Sequence, residues 1–305
     1  MYRNVSTGQS MADIGLLGLD TSHAEAFATV LAVHEHATVS AIWDGGDVRD
    51  ESYRREFASR YDADLCAEPS DVIDRVDGAM VLTVNWDDHR RLATQFLESG
   101  IPTMVDKPIA GQLADLDAIA DGAAETPFFG GSAVPFHPAL DELDAVVPGQ
   151  ALYCAGYNDP FYYGVHLVDT VRSLVAADWH SVRPADDPGL TVDVRFEDET
   201  FATLRLDGCE EEKAFMFLSV DPARTVSIGA SAEDRARMYE SYVDAFLETV
   251  RGDRDDGRRI LDAAELLLAV TAALEEDRTI TRESRSLHEV HVDGEAFLRE
   301  YSPYY

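Results

Sequence analysis

At 305 residues with 46% hydrophobic content, the chain is long enough to bury a substantial core, most readily as two domains. Its 58 acidic against 25 basic residues give a formal charge of -33 spread along the whole length, which repels nucleic acid and anionic membrane and excludes both as expected partners. No run reaches the ~18 apolar residues of a membrane span, and the start MYRNVSTGQSMAD is polar with no signal-peptide core, so a soluble, cytoplasmic protein is expected.

Residues 1 to 11 read as a loose extension, and Met11 could serve as the natural start. From Asp13, DIGLLGL reads as a strand, SHAEAFATVLAVHE as a helix, ATVSAIWD as a strand and DESYRREFASRY as a helix. After DVIDRV come the strand GAMVLTV, the helix DDHRRLATQFLESG, the strand IPTMVD and the helix QLADLDAIADGA. Regular alternation of strand and helix implies a Rossmann-like, doubly wound parallel sheet over residues 12–130, with ligands at the carboxyl ends of the strands. Residues 131–305 read as an α+β domain with a mainly antiparallel sheet. There SAVPFHPALDELDAVV looks helical after its prolines, YYGVHLVDTVRSLVAA is a strong amphipathic helix, and LTVDVRFEDETFATLRLDG with KAFMFLSV alternates like a meander. Two helices, SAEDRARMYESYVDAFLETVRG and DGRRILDAAELLLAVTAALEED, close the chain. Cys66, Cys154 and Cys209 are odd in number and far apart, so each is expected as a small buried residue, with no disulfide framework and no metal site.

Several residues at the ligand edge are candidates for chemistry. GLLGLDTSH lies between the first strand and first helix, where Gly15 and Gly18 would let the backbone approach a pyrophosphate and the helix N-terminus would offer free N–H groups. The match to G-x-G-x-x-G is poor, because Asp20 stands where the glycine after Gly18 is expected. Ser22 and Glu25 form an S-x-x-E capping box, leaving Thr21 and Ser22 as hydroxyl donors to phosphate. Asp44 ends the second strand, 26 residues beyond Gly18, as suits an acid that binds a ribose. Thr83, Asn85 and His89 follow the fourth strand, and Asp106, Lys107 and Pro108 follow the fifth. Asn85 also reads as a plain helix cap and His89 as a plain surface residue. Lys107 stands out because Lys213 is the only other lysine in the chain. A desolvated lysine exchanges a proton near neutral pH, whereas arginine does not.

GLLGLDTSH, VLTVNWDDH, VDKPIAG and YYGVHLVD stand in the order and approximate spacing of the Gfo/Idh/MocA oxidoreductases, which the chain resembles over nearly its full length. The resemblance implies that Asp106, Lys107 and Pro108 form the family's E-K-P motif, with Lys107 near nicotinamide and substrate and Asp106 on the cofactor ribose. It also implies that His166 is the second acid/base, and that Asn85 and His89 belong to the cofactor loop, although Val84 replaces the usual proline. Three departures accompany the match: Asp20 in the phosphate loop, Tyr162 in place of the D-x-G-x-H aspartate, and Pro135 where an arginine is common. If YYGVHLVD is helical throughout, Tyr162 and His166 share one face, and Tyr162 orients substrate. The acid-rich, lysine-poor composition resembles that of haloarchaeal, salt-adapted proteins.

The expected function is therefore an NAD(P)-dependent oxidoreductase, a dehydrogenase of a sugar, polyol or related hydroxylated metabolite, working as a homo-oligomer (dimer or tetramer). NAD is expected over NADP because Asp44 would repel a 2′-phosphate and no arginine follows it before Arg49. The competing reading is a non-catalytic relative that binds a metabolite or partner through a degenerate cofactor site.

Overall fold

The computed structural model describes residues 11–143, 146–208, 213–229 and 231–303. The first part alternates β1 (Ala12–Leu17), α1 (Ser22–Val33), β2 (Ala37–Trp43), α2 (Glu51–Arg60), β3 (Asp64–Leu65), α3 (Ser70–Ile73), β4 (Gly78–Val81), α4 (His89–Glu98), β5 (Thr103–Asp106), α5 (Leu113–Gly122) and β6 (Phe128–Gly131). Its six strands run in the order β3-β2-β1-β4-β5-β6 with every pairing parallel, the doubly wound arrangement expected from the sequence. Strands β4, β5 and β6 are buried at every residue, as they must be with helices on both faces. Helix α4 buries Leu92, Ala93, Phe96 and Leu97, one stripe at helical spacing.

The second part comprises β7 (Ala151–Ala155), α6 (Gly164–Leu174), β8 (Trp179–Pro184), β9 (Thr191–Phe196), β10 (Phe201–Arg205), β11 (Phe215–Val220), β12 (Arg224–Ile228), α7 (Ala232–Val250), α8 (Gly257–Glu276), α9 (Arg285–Glu289) and α10 (Gly294–Glu300). Its strands lie in the order β12-β11-β7-β10-β9-β8, antiparallel except for the parallel pair of β7 and β10. Helices α7 and α8 return to the first sheet. Phe246 and Val250 of α7 sit over Gly78, where any side chain would collide with them. Phe27, Phe129, Phe136, Tyr242 and Phe246 form an aromatic cluster that joins α1, β6 and α7.

Several elements differ from the sequence-based expectation. SAVPFHPALDELDAVV forms no α-helix over its described residues but two 3₁₀ turns, Val134–Phe136 and Pro138–Leu143, because Pro135 and Pro138 withhold amide donors. Helix α6 begins at Gly164, so Tyr162 lies in the preceding turn and not on the helix face of His166. The cap of α1 is Thr21, whose Oγ1 accepts from the His23 amide, and Ser22 is the first helical residue. Strands β3, β6, β7, β8 and β12 were not foreseen, and α8 is followed by two more helices. Cys154 is buried and Cys66 half-buried, while Cys209 and residues 1–10 fall outside the described residues. No helix among the described residues is long and apolar enough to cross a membrane.

The last described segment acts as a strap across the carboxyl edge of the first sheet. The Val292 amide donates to the Gly111 carbonyl at 2.9 Å, and the Trp86 indole donates to the Val292 carbonyl at 2.7 Å. Phe297 packs on Trp86, and the Tyr301 hydroxyl donates to the Asp20 carbonyl at 3.4 Å. A methyl at Gly111 would overlap both the Val292 oxygen and the indole. Gly111→Ala is therefore expected to lift the strap, exposing residues beyond 290 to limited proteolysis while the far-ultraviolet circular dichroism stays unchanged. Equal protease resistance in the variant would show that the strap is held by other contacts.

Candidate active site

The carboxyl end of β5 carries Asp106 and Lys107, both buried. Pro108 follows through a cis peptide bond. Lys107 Nζ lies 3.1 Å from the centroid of the Tyr162 ring and 5.5 Å from that of Tyr163, and donates to the Tyr162 carbonyl at 3.4 Å. Burial strips water from the ammonium and brings its pKa down to about 7, an effect that the Asp106 and Asp159 carboxylates only partly oppose. Asp159 also shapes the turn before α6, its Oδ1 accepting from the amides of Phe161 and Tyr162. The outer face of the Tyr162 ring is stacked by Phe297 of the strap, at 4.5 Å and 30°.

Asp106 is held by a residue to which the sequence assigned no role. His23 Nδ1 lies 2.9 and 2.8 Å from its two carboxylate oxygens, and the Lys107 amide donates to Oδ1 at 2.8 Å. Burial would raise the Asp106 pKa, but His23 and Lys107 outweigh it and hold the carboxyl below its ordinary range. His23 sits on the first turn of α1, against Phe27 and Tyr239. Within the motif its position was visible, but a partner 83 residues away was not.

His166, on α6, is half-buried between Phe215 and Tyr163, and its Nδ1 lies 2.7 Å from Ser132 Oγ. Burial, reinforced by the nearby Lys107 and His23 charges, holds its pKa well below the ordinary histidine value. Lys107 and His166 thus face a common neighbour, Tyr163. Ser132 is a second contributor not foreseen; the Gly130–Gly131 pair before it was the available signal of a special turn.

The phosphate-loop candidates separate into two groups. Gly15 lies inside β1, where its lack of a side chain makes room for Val72 and Val76 and not for a ligand. Gly18 has φ +99°, and a side chain there would strike the Thr83 backbone. Asp20 turns away from the helix N-terminus, Oδ2 accepting from the Val84 amide at 2.9 Å. Burial pushes its pKa up to about 7, opposed by that amide and reinforced by Asp44 and Asp47. Asp44 Oδ2 accepts from the Leu19 amide at 2.7 Å and Oδ1 from the Gly46 amide at 2.9 Å, so both oxygens tie loops together. Its pKa is raised by burial, against the pull of those amides and of Arg54. Arg49 stacks on Tyr53 at 4.3 Å and donates to the Leu19 carbonyl.

At the start of α4, His89 is fully buried rather than at the surface, with Nδ1 3.1 Å from the Ile109 carbonyl and Nε2 2.9 Å from that of Thr83. It cross-links the β4 and β5 loops and leaves no ring nitrogen for a ligand. Asn85 accepts from the Asp87 amide and donates to Asp88, a turn-forming role. Thr83 Oγ1, by contrast, is buried without a protein partner, beside Gly18. That orphaned hydroxyl, together with the N-terminus of α1 at Thr21 and Ser22, suits a dinucleotide laid across the strand ends. Among the described residues no cluster of three or more His, Cys, Asp or Glu side chains could hold a metal ion.

Residues 12–128 match the family described as oxidoreductase family, NAD-binding Rossmann fold. The chain carries a Gfo/Idh/MocA domain. Comparison with curated protein sequences finds no match. Among solved structures it is similar to scyllo-inositol dehydrogenase from Lactobacillus casei with bound cofactor NAD(H) and scyllo-inositol (15% identity, TM-score 0.71, covering 90% of this chain and 100% of that one). It is also similar to a myo-inositol dehydrogenase from Corynebacterium glutamicum (16% identity, TM-score 0.70, 90% and 99% covered). A protein of gentamicin A biosynthesis in complex with NAD shares 14% identity at a TM-score of 0.74, with 93% and 100% covered. At these identities the likeness is one of fold, and it spans both sheets.

The buried Asp20 carboxyl generates a test. Its pKa rises from 3.8 to about 7 on folding, so the protonated form favours the folded state. That contribution is complete below the unfolded value and is lost as pH rises through the folded one. Asparagine keeps a carbonyl for the Val84 amide and has no charge to bury. Asp20→Asn is expected to raise the melting temperature more at about pH 8 than at about pH 5, at constant salt. An equal shift at both pH values would remove Asp20 as the titrating group.

Proposed function

We propose that the protein is an NAD-dependent oxidoreductase that moves hydride to or from a carbinol carbon of a sugar, polyol or related hydroxylated metabolite. The observation that carries this reading is Lys107: one of two lysines in the chain, buried at the carboxyl end of a Rossmann strand, with a pKa of about 7. The polyol class is supported by the inositol dehydrogenases that share the fold.

The cofactor would lie over Gly18, Thr21, Ser22 and Thr83, with its adenosine toward Asp44 and its nicotinamide toward Asp106 and Lys107. When bound, it supplies the hydride acceptor or donor. Lys107 and His166 flank the reacting substrate oxygen, where oxidation requires a group to take the hydroxyl proton. Tyr162 orients substrate and shields Lys107 from water, and its ring face also stabilises the charged ammonium. NAD is preferred over NADP because the Asp44 carboxyl is fixed at the end of β2, while Arg49 and Arg54 already bond Leu19 and Asp44 backbone carbonyls. A homo-oligomer is favoured by the apolar outer face of the second sheet, where Tyr153 pairs with Leu218 and exposed Met216 and Val220 flank them. Tyr153→Glu should then lower the mass measured by light scattering, and an unchanged mass would move the contact elsewhere.

Titration with NADH, followed by nicotinamide fluorescence in molar salt, tests the cofactor assignment. NADH should bind more tightly than NADPH; failure of both favours a binding protein that has lost the cofactor. Lys107→Ala should retain the melting temperature and lower turnover by about 10²- to 10⁴-fold, and Lys107→Arg should fail as well. Because neutral lysine is the base, kcat/KM for oxidation should rise with pH and level off above about 7. A profile flat across that range would sink the role of Lys107 in proton transfer.

A further inference from the structure

Ser132 is fully buried and held from several sides. Gly131, at φ +76°, allows the chain to turn after β6, and a side chain there would strike Asp169 Oδ2. That same oxygen accepts from the Ser132 amide at 2.7 Å, while Asp169 Oδ1 is paired with Arg259. The Tyr242 hydroxyl donates to the Gly131 carbonyl at 3.0 Å. Ser132 Oγ accepts from the Val134 amide at 3.0 Å. The hydroxyl proton therefore needs an acceptor away from Val134, and the His166 Nδ1 at 2.7 Å is the one within reach among the described residues. Ser132 is closed to bulk solvent, so the proton has no outlet there.

If Ser132 donates to Nδ1, the ring proton of His166 must sit on Nε2. The opposite arrangement, with Nδ1–H donating to Oγ, would leave the buried serine proton without a partner, at a typical cost of about 1–3 kcal/mol. We propose that Ser132 is a positioning residue that locks His166 in the Nε2–H tautomer, so that His166 is a fixed hydrogen-bond donor to the substrate oxygen and Lys107 is the proton acceptor. The division of labour rests on the oxidoreductase reading, whereas the tautomer does not. In oxidation the hydroxyl proton would pass to neutral Lys107 Nζ and the carbonyl oxygen that forms would accept from His166 Nε2–H, a bound nicotinamide cofactor being the group that would supply the hydride acceptor. In reduction the same atoms return by the same route, Lys107 giving back its proton. The groups around the imidazole agree: Lys107 from the β5 loop and His23 from α1 are cationic when protonated and oppose a second proton on the ring, with Tyr163 and Phe215 packed against its faces.

Nitrogen-15 NMR of histidine-labelled full-length protein tests this without cofactor or turnover, the His166 signals being identified by their loss in His166→Asn. The wild type should show a pyridine-like Nδ1 and a pyrrole-like Nε2, unchanged from about pH 6 to 8. Ser132→Ala should give a mixture of tautomers and, in the active enzyme, a fall in kcat of about 10-fold with a smaller change in KM. A wild-type ring protonated on Nδ1, or one that titrates to imidazolium within that range, would overturn the proposal even if Ser132→Ala failed to fold. So would a folded Ser132→Ala protein that kept the single Nε2–H form. Should the tautomer stand while the enzyme transfers no hydride, the oxidoreductase reading fails and the lock remains.

Discussion

Removing an ammonium group from water costs far more than one hydrogen bond returns, and the carboxyl end of β5 is organised around limiting that cost for Lys107. Three partners do so: the Asp106 carboxylate beside it, the Asp159 carboxylate opposite, and the face of Tyr162. Two of them depend on a further support. Asp106 is itself buried and stays ionised because His23 and the Lys107 amide bond its oxygens. His23 is fixed by Phe27 and by Tyr239 of α7. Tyr162 is backed by Phe297, which packs on Trp86. The ammonium is thus positioned from α1, from the turn before α6 and from the C-terminal strap. Packing between the two halves of the chain therefore bears directly on the protonation of one side chain.

The phosphate loop reaches a similar end by different means. A glycine-rich turn brings backbone close to a ligand by dispensing with side chains. Here Gly18 alone serves that purpose in the turn, and Asp20 and Asp44 organise the remainder by bonding backbone amides across loops: Asp20 to the β4 loop, Asp44 to its own loop and the one after β1. Both carboxyls are buried and have raised pKa values, and Asp20, pushed up to about 7, carries less negative charge toward an anionic ligand than its formula suggests. An aspartate in this position reads as electrostatically wrong only while its hydrogen bonds are unknown.

That contrast explains what was legible in the sequence. The doubly wound sheet was legible because the buried runs of β1, β4 and β5 alternate with amphipathic helices, and that periodicity is local. The position of Lys107 at a strand end was legible for the same reason. Strands β3, β6, β7, β8 and β12 were not: among them β3 has two residues, β6 is Phe-Phe-Gly-Gly, and β8 mixes Trp, His, Arg and Pro. Each gains its strand character from neighbours already in the sheet. The helix at Tyr162 was extended a turn too far because Asp159 caps the preceding turn through bonds invisible in the pattern. The roles of His23, Ser132 and Phe297 come from contacts between residues distant in the chain, and single-sequence periodicity has no access to those.

The formal charge of -33 also acquires a spatial meaning. Most carboxylates are at the surface, where many meet arginines on the same or a neighbouring helix, such as Glu51 with Arg55 and Glu295 with Arg299. Exposed pairs of this kind contribute little each and are screened as salt rises. The carboxyls that matter to the site, Asp20, Asp44, Asp106 and Asp169, are buried and bonded to backbone amides, His23, Arg54 or Arg259, beyond the reach of solvent ions. Added salt therefore relieves repulsion across the surface while leaving the electrostatics around Lys107 and His166 nearly unchanged. Burial thus separates the surface charge of this acidic chain from its site chemistry.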